Sequence, residues 1–362
     1  MQKVEDISFW QNHPSINRMG GPVRFLERKT EDPHEQLLIE VQQGCDNLLK
    51  NHPTGKLMHE FDFLLVETSV RNAAALTKDG QFAVALSTGL LEAVSRIVRR
   101  LICSASLLSQ NFGRQPRQEA SLWATDPTRF LKTASERERR YFLNCLGRAL
   151  EFVALHELSH GLRDHASLLR TTPSDCLFEE VMWLSEPGDA SSREERHRCE
   201  IDADIYALRL SQPTGLQSEA SRSAENDLEE YWLSEIVIQC FALVSVFLAL
   251  EDQSQKQRVG YDGLYPPLLH RAIIVCDTVQ LYFAARGGLE PEEASGYVSQ
   301  IWIDLAETSE DLDIPSETWV QPRDSKIALE LMNTRLVDFR RFQDSLDDRM
   351  AQRLRDHSVQ WD

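Results

Sequence analysis

The residues best placed to do chemistry are His156, Glu157 and His160, in the run Ala154-Leu155-His156-Glu157-Leu158-Ser159-His160. On a helix, side chains at i and i+4 point the same way, so the two imidazoles can share one zinc ion. Glu157, one step round the helix, is placed to take a proton from a water activated by that metal. The apolar Phe152, Val153, Leu155 and Leu158 suit a buried helix that is dry around its metal. So short a pattern also arises by chance on amphipathic helices, so a third ligand decides the matter. The stretch Cys199–Leu208 supplies one, with a carboxylate at Glu200 and another, Asp204, one turn later. His156, His160, Glu200 and a water form a tetrahedral catalytic zinc set with one open position. Asp204 shares the face of Glu200 and is expected to orient a ligand imidazole. Cys199 adjoins Glu200 but, on a helix, would face away from it.

Those groups need elements to position them. Thr133 and Glu136 match a capping box that would start the motif helix, which then runs to Asp164. His165 falls one residue short of position 166, where a histidine would complete a metzincin-like triad, and is expected to be a solvent-facing or capping residue. Phe61–Glu67 reads as a strand, Asp79-Gly80 as a hairpin turn and Gln81–Leu86 as a second strand, with Ser87 or Thr88 capping a helix. An edge strand here could hold an extended peptide by backbone pairing beside the metal. Pro266-Pro267 presets a helix start and places Tyr265, His270 and Arg271 there, where such groups could hold an oxyanion. Polar stretches at 185–198 and 211–228 read as loops, the first able to gate a cleft. Ile236–Leu250 is strongly apolar but short for a membrane span and bracketed by Glu235 and Glu251, which predicts a buried core helix.

With 362 residues, 42% hydrophobic and 27% charged, the chain can build a large core. A net charge of −18 opposes nucleic-acid binding, which needs Lys and Arg against phosphates. The best basic cluster, Arg96, Arg99 and Arg100, reads as a solvated helix face. Seven scattered cysteines without a C-x-x-C point to free thiols in a reducing compartment. With no basic-then-apolar start, the expected location is cytoplasmic.

His156–His160 followed by Glu200-Ile201-Asp202-Ala203-Asp204 resembles the gluzincin metallopeptidases of the M48-like group, where a Glu-x-x-Ala-Asp helix follows H-E-x-x-H. Asn72-Ala73 and Thr88-Gly89-Leu90-Leu91 are similar to that group's Asn-Ala and Thr-Gly-Leu-Leu segments. Tyr265-Pro266-Pro267 with Arg271 is similar to its His-Pro…Arg element, with Tyr265 where the pattern has His. Polar loops and the lack of membrane spans look most like the soluble Lit-type phage-exclusion peptidases. The resemblance implies zinc held by His156, His160 and Glu200, Glu157 as general base, and Asp204 orienting a ligand. It implies substrate backbone received at Asn72, Ala73, Phe82 and Val84, and an oxyanion held by Tyr265 or Arg271.

The expected fold is α+β and mainly helical, with a zincin-type domain over 61–284 and a small sheet whose edge strand lies beside the motif helix. An N-terminal helical and loop segment (1–60) precedes it, and an acidic helical extension (285–362) follows. The expected function is zinc-dependent endoproteolysis of a protein or peptide, in a bacterial stress or anti-phage pathway. The rival is a zinc-stabilised sensor or interaction module with little turnover. Either admits a regulatory partner through the C-terminal extension, and the 185–198 loop or the last helix would restrain an open cleft.

Overall fold

Strict alternation of buried side chains builds a sheet that is covered on both faces. The computed structural model describes residues 6–26, 30–51, 61–79, 81–104, 130, 132–165, 176–179, 190–219, 228–256, 268–287, 296, 301–302 and 341–356. Its strands are β1 (Val23–Phe25), β2 (Asp62–Val66), β3 (Ala73–Lys78), β4 (Gln81–Ser87) and β5 (Cys176–Glu179). They form one mixed sheet in the order β1-β2-β4-β3-β5, in which only β2 and β4 run parallel. Phe63, Leu65, Ala73, Ala75, Val84 and Leu86 face the main core. The residues between them, such as Leu64, Val66, Ala74 and Ala83, face Trp10, Ile16 and Met19. Those three come from α1 (Ser8–Gln11) and α2 (Pro14–Met19), so the N-terminal segment closes one side of the sheet.

The β3–β4 hairpin turns where Asp79-Gly80 predicts it. Lys78 pairs with Gln81, and Asp79 takes a positive φ of 49°. However, β4 is not an edge. It is hydrogen-bonded to β2 on one side and β3 on the other, while β3 is paired in turn with β5. The expected edge strand beside the metal is therefore an interior strand.

α4 (Thr88–Ser104) follows β4 directly. Ser87 is its cap: its Oγ accepts hydrogen bonds from the amides of Leu90 at 3.1 Å and Asn72 at 2.9 Å. Thr88 instead ties the helix to the preceding loop, its Oγ1 donating to the Thr68 carbonyl at 2.9 Å. Gly89 is needed here, because a Cβ would stand 2.5 Å from the Ser69 carbonyl oxygen. Arg99 and Arg100, expected on a solvated face, are buried; Arg99 donates to Ser95 Oγ at 2.6 Å and lies over the Phe142 ring.

The helical layer comprises α3 (Pro33–Asn51), α5 (Glu136–Leu162), α6 (Ala190–Glu219), α7 (Leu228–Lys256) and α8 (Leu268–Gly287), with α9 at 341–356. α5 starts two residues later than Thr133-Glu136 suggests. Ser135 Oγ accepts from the Glu138 amide at 3.3 Å while the Glu138 carboxylate accepts from the Ser135 amide at 2.6 Å, a complete capping box. α7 is the predicted core helix, buried at every position from 236 to 250, and packs against α4, α5 and α8. Among the described residues no helix is long and apolar enough to cross a membrane. α6 begins at Ala190 and runs to Glu219, so 190–198 and 211–219 are helix rather than loop, while 185–189 lie outside the described residues. The fold is thus mainly helical α+β with a small mixed sheet.

Candidate metal centre

α5 and α6 pack together and bring three ligand atoms to one point. Nε2 of His156 and Nε2 of His160 are 3.0 Å apart. Glu200 presents Oε2 at 3.5 Å from the first and Oε1 at 3.8 Å from the second. Bonds of about 2.0–2.1 Å to a tetrahedral zinc put neighbouring ligand atoms about 3.3 Å apart, the size of this triangle. His156, His160 and Glu200 form a buried group able to hold a metal ion, their ligand atoms all within 4.8 Å of one another. None of the three is more than 1% exposed. Two imidazole nitrogens and a carboxylate converging on one buried point make a donor set that suits a cation.

Each histidine is supported from behind. Nδ1 of His156 lies 2.8 Å from Asp204 Oδ1, one turn beyond Glu200 on α6. Arg271 of α8 grips Asp204 with Nε and Nη2, both at 2.8 Å, and reaches Glu200 Oε2 with Nη1 at 3.2 Å. Burial would raise the Asp204 carboxyl, but the Arg271 charge holds it below the usual carboxylate range. Phe152 and Phe247 form the dry floor, their rings 5.9 Å apart, with Arg271 stacked over Phe247.

His160 has a longer support. Its Nδ1 is 2.8 Å from Nδ1 of His165, whose Nε2 is 3.1 Å from Asp202 Oδ2. Arg163 clamps Asp202 through Nε at 2.8 Å and Nη2 at 3.0 Å. Burial, then the nearby His156, His165 and Arg271, keeps His160 well below the usual histidine range. Burial lowers His165 too, against the pull of Asp202. Asp202 itself is held down at about 2, because hydrogen bonds from His165 and Arg163 outweigh its burial. Both directions favour a neutral imidazole at His160, the form that can ligate a metal, and an ionised Asp202.

Other expected site residues are placed less simply. Glu157 is buried in the same turn of α5 as the two histidines. Arg271, expected at an oxyanion position, is engaged with Asp204 and Glu200. Tyr265 lies outside the described residues, and His270 is in the first turn of α8. The four expected substrate-binding residues are occupied within the sheet. Ala73 pairs with Leu86, Val84 with Ala75 and Phe63, Phe82 with Thr77, and Asn72 accepts from the Ser87 amide while its own amide donates to Ser87 Oγ. Of the four, Val84 has a paired strand on both sides. Burial pushes the Cys199 thiol up, which disfavours the thiolate a metal would need.

His165, Asp202 and Arg163 are the members that sequence reasoning missed. His165, expected to be a capping or solvent residue, is wholly buried. Asp202 lies two residues from Glu200 and from Asp204, about 200° round the helix from each, so the spacing that links those two gave no local signal of its role. Compared with known proteins, the chain matches no protein-family model, no curated protein and no solved structure.

Proposed function

We propose that the chain is a zinc-dependent endopeptidase, as the gluzincin resemblance implies. The observation that supports it is the His156–His160–Glu200 triangle of zinc-ligand size with Glu157 buried in the same turn of the helix. Zinc bound there would supply a Lewis acid that acidifies water and polarises a carbonyl. The chain's own groups do the rest. His156 and His160 present Nε2 lone pairs, and Arg271 holds Glu200 and Asp204 in register. Glu157 accepts a proton from water as the water oxygen bonds to the peptide carbonyl carbon. It returns that proton to the amide nitrogen as the C–N bond breaks, so peptide and water become acid and amine. The substrate is a protein or peptide, and the pathway proposed from the same resemblance is phage exclusion.

A second reading, a zinc-stabilised sensor or interaction module, is favoured by the burial of all three ligand side chains, which limits the access of a substrate to the metal. One substitution separates them. Glu157→Gln keeps shape and ligands but cannot accept a proton. The expected result is about one zinc per chain in both proteins, with new protein N-termini in cells expressing wild type that are reduced by orders of magnitude in the variant. Cells that respond alike to both proteins would overturn the peptidase reading in favour of the sensor.

A further inference from the structure

The series of buried hydrogen bonds behind His160 is not used by the reaction above, and its protons can be placed one at a time. Arg163 donates to both oxygens of Asp202, and Gln343 of α9 adds a bond to Oδ1 at 3.3 Å. Asp202 is therefore an acceptor, and the proton in its bond to His165 sits on Nε2 of that ring. His165 is buried, and the Asp202 it faces is already paired with Arg163, which disfavours a second proton on its ring. A neutral imidazole protonated at Nε2 has a lone pair at Nδ1. The short contact between the two Nδ1 atoms then requires His160 to be the donor. His160 is left with its lone pair on Nε2, the atom that faces His156 and Glu200. The opposite assignment would put the proton on His160 Nε2 and leave no lone pair there for a metal.

The far end of this series lies on another element. Arg163 Nη1 pairs with Asp347, and Arg353 donates to the Leu162 carbonyl at 3.4 Å, both from α9. Leu346 is fully buried, and Tyr206 of α6 donates to Met350 sulfur at 3.4 Å. α9 is thus seated across the end of α5 and the face of α6 that carries Asp202.

We propose that His165 and Asp202 are positioning residues for His160, fixing its ring with the proton on Nδ1 and the lone pair on Nε2, and that α9 anchors them through Arg163. Resting on the metal-site reading, this gives the C-terminal helix a supporting role at the centre, in contrast to the restraint expected from the sequence.

The test uses the full-length chain. In the metal-free protein, long-range proton–nitrogen NMR of the imidazoles should show His160 protonated at Nδ1 and His165 at Nε2. His165→Phe should leave His160 a mixture of tautomers and lower zinc affinity, measured against a chelator, by about 10–100-fold. His165→Gln retains an acceptor and should restore both. Asp347→Ala, on the half-exposed end, should fold normally and weaken zinc a few-fold. A wild-type His160 protonated at Nε2 would overturn the proposal, as would a folded His165→Phe or Asp347→Ala with wild-type zinc affinity. Should wild type fail to bind zinc, the metal reading falls, while the tautomers of the metal-free chain still decide the relay.

Discussion

His156 and His160 stand one turn apart on α5, yet the supports behind them differ in length, in origin and in how they end. The first is short and closed: Asp204 touches His156 directly, Arg271 backs Asp204, and every member is at most 1% exposed. The second runs through His165 and Asp202 to Arg163, and ends on Asp347, whose side chain is 50% exposed. The first is set by packing of α5, α6 and α8 in the core. The second depends on α9 remaining docked. One candidate metal ligand is therefore fixed by the fold, and the other is within reach of whatever binds or releases the C-terminal helix.

The largest effect should come from removing the arginines. Arg271→Ala strands two buried carboxylates, Asp204 and Glu200, and should cost about 3–5 kcal/mol in denaturant unfolding of the metal-free protein. Arg163→Ala leaves Asp202 with His165 and Gln343, and leaves Asp347 in contact with water, so it should cost at least about 1 kcal/mol less. The reverse order would mean that the second support is the more deeply built of the two.

Asp347→Ala tests the open end. A half-exposed ion pair contributes little, so the expected loss is about 0.5–1 kcal/mol. The difference from wild type should shrink in 1 M salt, where the Debye length is about 3 Å. Replacing the buried Asp204 by Ala should show no such salt sensitivity. An Asp347 effect as large and salt-independent as that of Asp204 would erase the contrast between the supports.

The closed support was legible in the sequence because it follows helical spacing: His156 to His160, and Glu200 to Asp204, are each one turn. Arg271 was visible as a site residue, but its partner depends on how α8 packs on α6, and no local pattern carries that. The open support was illegible for three reasons. Asp164 takes a positive φ of 57°, which ends α5 and returns His165 towards it. Asp202 reads locally as the solvent side of a helix, and Asp347 is 184 residues from Arg163. The sheet repeats the lesson. The β3–β4 hairpin was visible from Asp79-Gly80, but the parallel neighbour β2 and the distant β5 are non-local partners, so β4 looked like an edge.

The last test concerns whether the two supports are separate at all. Asp277 lies on α8, the helix that carries Arg271, and burial pushes its carboxyl up to about 6 from an ordinary 3.8. The folded chain then holds this proton more tightly than the unfolded one. The resulting contribution to stability is fully present below pH 3.8 and is lost as pH rises through about 6. Asp277→Asn should therefore be more stable than wild type at pH 7.5 by up to about 3 kcal/mol, at roughly 1.4 kcal/mol for each pH unit between 3.8 and about 6, and equal to it below pH 3.8. In hydrogen exchange with a chelator present, α8 amides should slow at pH 7.5 while those of α9 keep their wild-type rates, because only the closed support includes α8. Equal slowing of α8 and α9 would show that the supports open together as one cooperative unit, and His160 would then be no more exposed to control from the C-terminal helix than His156.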